Sequence, residues 1–237
     1  MGEQAKQRIE LMDAVRGLSL CLMVIHHFLY DLVVFAGAPR LLFWNPVFET
    51  LHYFFAGLFI LLSGVSSNFS RSNVRRGLKA LAVALAITAV TWLMDMPILF
   101  GVLHLLGTCM LLYGLTQAFW TGLPAWVIPA LSIAGILATA KLADGWPTAT
   151  PHLWIFGLTT PDFASADYFP LLPWMFVFLL GTWAGRYVRE GRLPRWFYET
   201  RSPVLAAVGR KSLLIYVVHQ PVLYGLTMLG LRIFAKN

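Results

Sequence analysis

Asp31 follows His27 by four residues inside one long apolar run, a spacing that sets a carboxylate and an imidazole on a single helix face. A carboxylate so placed holds the ring in one tautomer and stabilises its protonated form, the pairing that general-base chemistry on a hydroxyl or amine requires. Arg16 lies eleven residues before His27, or roughly 16 Å along a helix at ~1.5 Å per residue. The imidazole is therefore expected deep in the run, with the guanidinium near its start. His219, in the segment Ser212–Pro221, and His104, in Gly101–Gly107, each enter an apolar run from one end to a depth on the order of 10 Å. Three histidines from three helices are thus expected at one level, with His27 as general base or as nucleophile and His104 and His219 as candidates to bond the reacting carbonyl or the acceptor. His26 points about 100° away from His27 on the same helix and is expected only to pack. Metal ligation competes poorly with acid–base work, because neither a His-x3-His nor a Cys-x2-Cys spacing accompanies these histidines.

Cations are grouped as well as numerous. Arg71, Arg75, Arg76 and Lys79 form one cluster and Arg210 with Lys211 another, while Arg16 stands beside Asp13 at i, i+3. That last pair predicts an ion pair near a membrane interface, and any of these guanidinium groups suits a phosphate. Ser63, in Ser63-Gly64-Val65-Ser66-Ser67-Asn68, ends an apolar run with small and hydroxylated residues that permit close helix approach or a hydrogen-bonded ligand mouth.

The elements that must carry these residues are membrane helices. Of 237 residues 58% are hydrophobic and 12% charged, against ~45–50% and ~25% in soluble domains, and the mean hydropathy is +0.69. Seven stretches reach the ~17–25 residues that a crossing needs: roughly 13–37, 47–67, 77–96, 98–119, 123–142, 169–188 and 211–234. The first is too long, and too interrupted by Asp31 and two histidines, to be a cleaved signal. Cys21 and Cys109 both lie in apolar runs and offer neither a disulfide framework nor a zinc site.

Charge placement then sets the orientation. The net charge is +7, and fourteen of eighteen cations, including Lys6, Arg8 and the two clusters, fall on alternate loops. The positive-inside rule puts those loops and the N-terminus in the cytoplasm, and the C-terminus outside with Arg40, Lys141, Arg232, Lys236 and the loop 143–168. Topology accounts for the basic stretch 186–211, so nucleic acid is not an expected partner. The expectation is an all-α polytopic protein with about seven transmembrane helices, forming one integral domain over residues 1–237.

The run from Arg8 to His27, RIELMDAVRGLSLCLMVIHH, resembles the opening of the heparan-alpha-glucosaminide N-acetyltransferase catalytic-domain family in a compact bacterial form. Leu62-Ser63-Gly64, the segment Phe100–Gly107, Leu171-Leu172-Pro173-Trp174 and the segment Gly209–Pro221 are similar to it in the same order. The Arg16-x10-His27 spacing is also similar to that of bacterial membrane O-acyltransferases. In the lysosomal members the catalytic histidine follows the first helix on the outer side, whereas no histidine lies between His27 and His52 here. The resemblance implies an enzyme of the bacterial inner membrane, surrounded by lipid, that takes acetyl groups from cytoplasmic acetyl-CoA. It implies a small-molecule or glycan acceptor, a sugar or amino sugar reached at or across the membrane, and leaves homo-oligomers open. Under it His27, Asp31, His104 and His219 are the catalytic candidates. Arg16, Arg71, Arg75, Arg76, Arg210, Lys211 and Ser63 would hold the donor, and no metal is required. The competing reading is a transporter or lipid-binding membrane protein whose intramembrane histidines relay protons, although no inverted repeat supports it.

Overall fold

The computed structural model describes residues 8–234, so Lys6 and Lys236 lie outside the described residues. Regular structure is almost wholly helical. Six helices are long and apolar enough to cross a membrane: α1 (Glu10–Val34), α2 (Pro46–Ser67), α3 (Asn73–Leu93), α4 (Val102–Gly122), α6 (Leu171–Arg189) and α9 (Ser212–Phe234). The expected stretch 123–142 yields only α5 (Val127–Thr139), followed by a 3-10 turn over Ala140–Leu142. Pro124 is the reason for the shortening: it sits in the turn after α4, its carbonyl accepts from Val127 N at 3.0 Å, and helix resumes only there. Two short helices, α7 (Arg195–Glu199) and α8 (Pro203–Arg210), occupy the basic stretch read above as a loop.

The chain divides into two compact units, residues 60–192 and the segments on either side of them. In the flanking unit α8 packs along the first half of α1 and α9 along the second half. Glycine permits the first contact. A Cβ at Gly17 would collide with the Leu205 carbonyl, and one at Gly209 with the Asp13 carbonyl, so the two backbones touch where both residues lack side chains. Glu10, in the first turn of α1, fastens the start of α8 by accepting from Ser202 N at 2.8 Å and pairing with Arg201 at 3.6 Å.

In the central unit α3 packs on α4 and α5 on α6, and α4 meets α6. Ser72 caps α3 by accepting from Arg75 N at 3.2 Å. Asn68 donates to the Thr182 carbonyl at 2.8 Å and Arg186 to the Trp120 carbonyl at 2.6 Å, which satisfies polar groups that lipid could not. Loop 143–168 carries a two-stranded parallel pair, β1 (Trp146–Pro147) with β2 (Leu158–Thr159). Burial pushes the Tyr168 phenol up to about 12, so it stays protonated and donates to the Trp154 carbonyl at 2.5 Å.

Candidate active site

Four polar side chains meet where α9 lies against α1. The His27 and His219 rings stand 4.8 Å apart, centroid to centroid, tilted by 59°. One turn further along α1, Asp31 is fully buried, and its Oδ1 accepts from Gln220 Nε2 at 2.9 Å. Phe35 and Tyr224 continue the contact at 5.2 Å. Pairs 27/219, 31/220 and 35/224 advance together in number, so the two helices run parallel here. Pro221 lies inside α9 and has no N–H to give, which removes a hydrogen bond from the turn that carries His219 and Gln220.

Sequence spacing pairs Asp31 with His27, but the structure pairs it otherwise. Among the described residues the carboxylate bonds Gln220 and not the His27 ring. Both residues do share the α1 face presented to α9, as an i, i+4 pair must. His219 takes its orientation from its own helix: Nδ1 donates to the Tyr216 carbonyl at 2.7 Å, so the neutral ring carries its lone pair on Nε2.

Of the three histidines expected at one level, His27 and His219 meet at this seam, and the hydrogen bonds of the third are local to its own unit. His104 belongs to the central unit, and both its ring nitrogens are engaged at the start of α4. Thr88 Oγ1 donates to the Ile98 carbonyl at 2.5 Å, which leaves the hydroxyl oxygen to accept from His104 Nε2 at 3.1 Å. Nδ1 then accepts from Gly101 N at 3.3 Å, satisfying one of the orphan donors of the helix N-terminus. Such a ring is a cap with no lone pair to spare.

His26 packs, as its position on the helix predicts. Its ring stacks on His52 at 4.1 Å and on Phe48 at 5.2 Å, two residues one turn apart on α2, and it meets Phe43 at 4.7 Å. It also meets the His27 ring edge-on at 5.7 Å. His52 and Gln220 are the participants that sequence reasoning missed. Each is a polar side chain within an apolar helical run, and that placement was the available signal.

The basic residues belong to both units. Asp13 is buried and accepts from Arg16 Nη1 at 2.9 Å, while Arg8 grips the same carboxylate through both Nε and Nη2. The expected Asp13–Arg16 pair is thus present, held in the half of α1 that α8 covers. Arg210 and Lys211 are exposed where α8 ends. In the central unit Arg71 and Arg75 are exposed, Arg76 Nη1 reaches the Ser66 carbonyl at 3.3 Å, and Ser63 is buried with its carbonyl accepting from Ser67 at 3.2 Å. No group of three or more His, Cys, Asp or Glu residues is arranged to hold a metal ion among the described residues.

A neutral imidazole touching a second imidazole, beside a buried carboxylate in an apolar helix pair, can accept a proton and stabilise charge without competition from bulk water. A family model described as "Heparan-alpha-glucosaminide N-acetyltransferase, catalytic" matches residues 8–221. No curated protein and no solved structure matches the chain.

Proposed function

Because the chain belongs to the heparan-alpha-glucosaminide N-acetyltransferase catalytic-domain family, we propose that this integral membrane acetyltransferase takes its acetyl group from cytoplasmic acetyl-CoA and passes it to a sugar or amino-sugar acceptor reached at or across the bacterial inner membrane. The observation that carries the proposal is the contact of His27 with His219, bordered by Asp31 and Gln220, at the seam of two apolar helices. His27 is the base that removes a proton from the acceptor hydroxyl or amine as its oxygen or nitrogen attacks the thioester carbonyl. His219 supports the charge that develops beside it, and Asp31 fixes the α9 turn on which His219 stands.

Arg16 is the phosphate ligand closest in sequence to this seam, on the same helix as His27, and Arg210 with Lys211 supply further cations in the same unit. Arg71, Arg75 and Arg76, with Ser63, form the second candidate cradle, in the central unit. Guanidinium forks match phosphate geometry, and both groups lie toward helix ends that the positive-inside rule assigns to the cytoplasm. The family match spans both compact units, which supports treating residues 1–237 as one catalytic domain.

Seven crossings, with the N-terminus in the cytoplasm and the C-terminus outside, complete the reading. From Val127 to Leu142 the helix and its 3-10 turn extend roughly 25 Å, a little less than the ~30 Å hydrocarbon thickness. α5 packs on α6, with Phe176 of α6 lying where a Cβ of Gly135 would be. A short crossing supported by a long neighbour requires only modest thinning of the bilayer.

The test is acetyl-CoA titrated into purified protein while melting temperature is followed, paired with transfer of labelled acetyl to glucosamine in proteoliposomes. Stabilisation by acetyl-CoA and labelled product are expected. A protein that neither binds acetyl-CoA nor transfers acetyl would overturn the reading.

A further inference from the structure

The Asp31–Gln220 pair leaves two hydrogen-bond acceptors unmet. Asp31 Oδ2 and Gln220 Oε1 are both buried and have no partner among the described residues, although the other half of each side chain is engaged at 2.9 Å in their mutual bond. A buried carboxylate with one oxygen unmet and no cation beside it is costly, and in an apolar helix pair the cost is several kcal/mol. No described lysine or arginine pairs with Asp31. An unmet carboxylate oxygen beside an unmet amide oxygen asks for a ligand that has several donors and a positive charge. A protonated primary amine has both.

We infer that Asp31 and Gln220 form the docking point for the protonated amino group of the acceptor, one helical turn from His27, with Gln220 as a positioning residue. This deepens the acetyltransferase reading and rests on it. In the step that follows, the ammonium gives one proton to the neutral His27 ring, and the freed lone pair attacks the acetyl carbonyl carbon. The C–N bond forms and the C–S bond breaks, the sulfur leaving with the electron pair. The nitrogen's second proton goes to that sulfur, giving the amide and free thiol, while the proton on His27 is released to solvent. An alcohol acceptor brings no charge to the carboxylate and is bound more weakly. The charged and titratable groups near the pair along these elements include His26, His27 and Tyr30 on α1, Tyr216, His219 and Tyr224 on α9, Arg40 before α2, and Glu49, His52 and Tyr53 on α2.

The experiment uses the full chain in nanodiscs, with glucosamine, methylammonium and glucose as probes and melting temperature as the readout, followed by steady-state transfer. Wild-type protein is expected to be stabilised by both amines and much less by glucose. Asp31→Asn and Gln220→Met are expected to weaken amine binding, and to raise the acceptor KM, by about tenfold or more, the scale of one charge-assisted hydrogen bond. The acetyl-CoA affinity of both variants is expected to stay at the wild-type value. Asp31→Asn is the deciding substitution, because its amide donates to Gln220 Oε1 just as a protonated Asp31 would. Undiminished amine affinity in that variant would mean an internal acid–amide pair and would overturn the docking point, as would a wild type that no amine stabilises. Acetyl-CoA binding that fails while amine stabilisation persists and depends on Asp31 would instead remove the acetyltransferase reading and leave the amine site standing. A folded ligand-free melting profile for each variant separates lost binding from lost structure.

Discussion

At the scale of the residue, the histidines divide by what their nitrogens already hold. His27 touches His219 at the α1–α9 seam, so removing its ring removes the proposed base. His27→Ala is expected to lower acetyl transfer by ~100-fold or more, the scale of a general base, while acetyl-CoA binding by melting temperature persists. His26→Ala should retain substantial turnover, since that ring packs on His52, Phe48 and Phe43. Equal losses from the two substitutions would remove the distinction between base and packing residue. His104 is predicted to behave as a helix cap: His104→Ala leaves the Gly101 N–H and the Thr88 hydroxyl without their ring partner. A stability loss of about 1–2 kcal/mol is expected, with kcat kept once the protein is folded. A folded His104→Ala that has lost all transfer would return the residue to the catalytic set. Sequence spacing made His27, Asp31 and His219 legible because i, i+4 geometry and intramembrane polarity are local facts. It could not reveal that His104 is saturated by Thr88 or that Asp31 bonds Gln220, because those partners lie 16 and 189 positions away.

At the scale of the element, long apolar runs became helices within a few residues of expectation, since their length and composition suffice to define them. The exceptions come from backbone chemistry that hydropathy does not see. Pro124 delays α5, and the pair Gly17 and Gly209 allows α8 to lie against α1 in a stretch that reads as a basic loop. That contact also fixes the half of α1 that carries Asp13 and Arg16. Gly209→Val would drive a branched side chain into the Asp13 carbonyl, a backbone atom that cannot swing aside. A stability loss of at least about 1–3 kcal/mol is expected from such overpacking. Arg16 should be displaced with it, so acetyl-CoA affinity is expected to fall in the surviving folded fraction. Wild-type melting temperature and affinity in Gly209→Val would show that α8 does not hold this end of the site.

At the scale of the whole molecule, the number of crossings and the placement of charge constrain each other. If α5 did not cross, the helices on either side of it in sequence would leave loop 143–168 on the same face as Arg71, Arg75 and Arg76, and residues 190–211 on the opposite one. The arginines at 192, 195, 201 and 210, with Lys211, would then face outward, against the positive-inside rule. If α5 crosses, both basic stretches and the N-terminal Arg8 and Arg16 share the cytoplasmic side, and the acidic loop with Asp144, Asp162 and Asp167 lies outside. The shortfall of a roughly 25 Å segment against a ~30 Å core costs only fractions of a kcal/mol per ångström. Misplacing a set of cations costs more, at ~1 kcal/mol for each Lys or Arg attracted to an anionic inner leaflet, and this balance is the argument for the proposed seven-crossing topology. A reporter fused after Asn237 is expected to read non-cytoplasmic, and single cysteines placed in a chain lacking Cys21 and Cys109 should label from outside at Ala149 and only from inside at Arg192. A cytoplasmic C-terminal reporter together with outside labelling at Arg192 would reduce the count to six and put the basic residues 192–211 out of reach of a cytoplasmic donor.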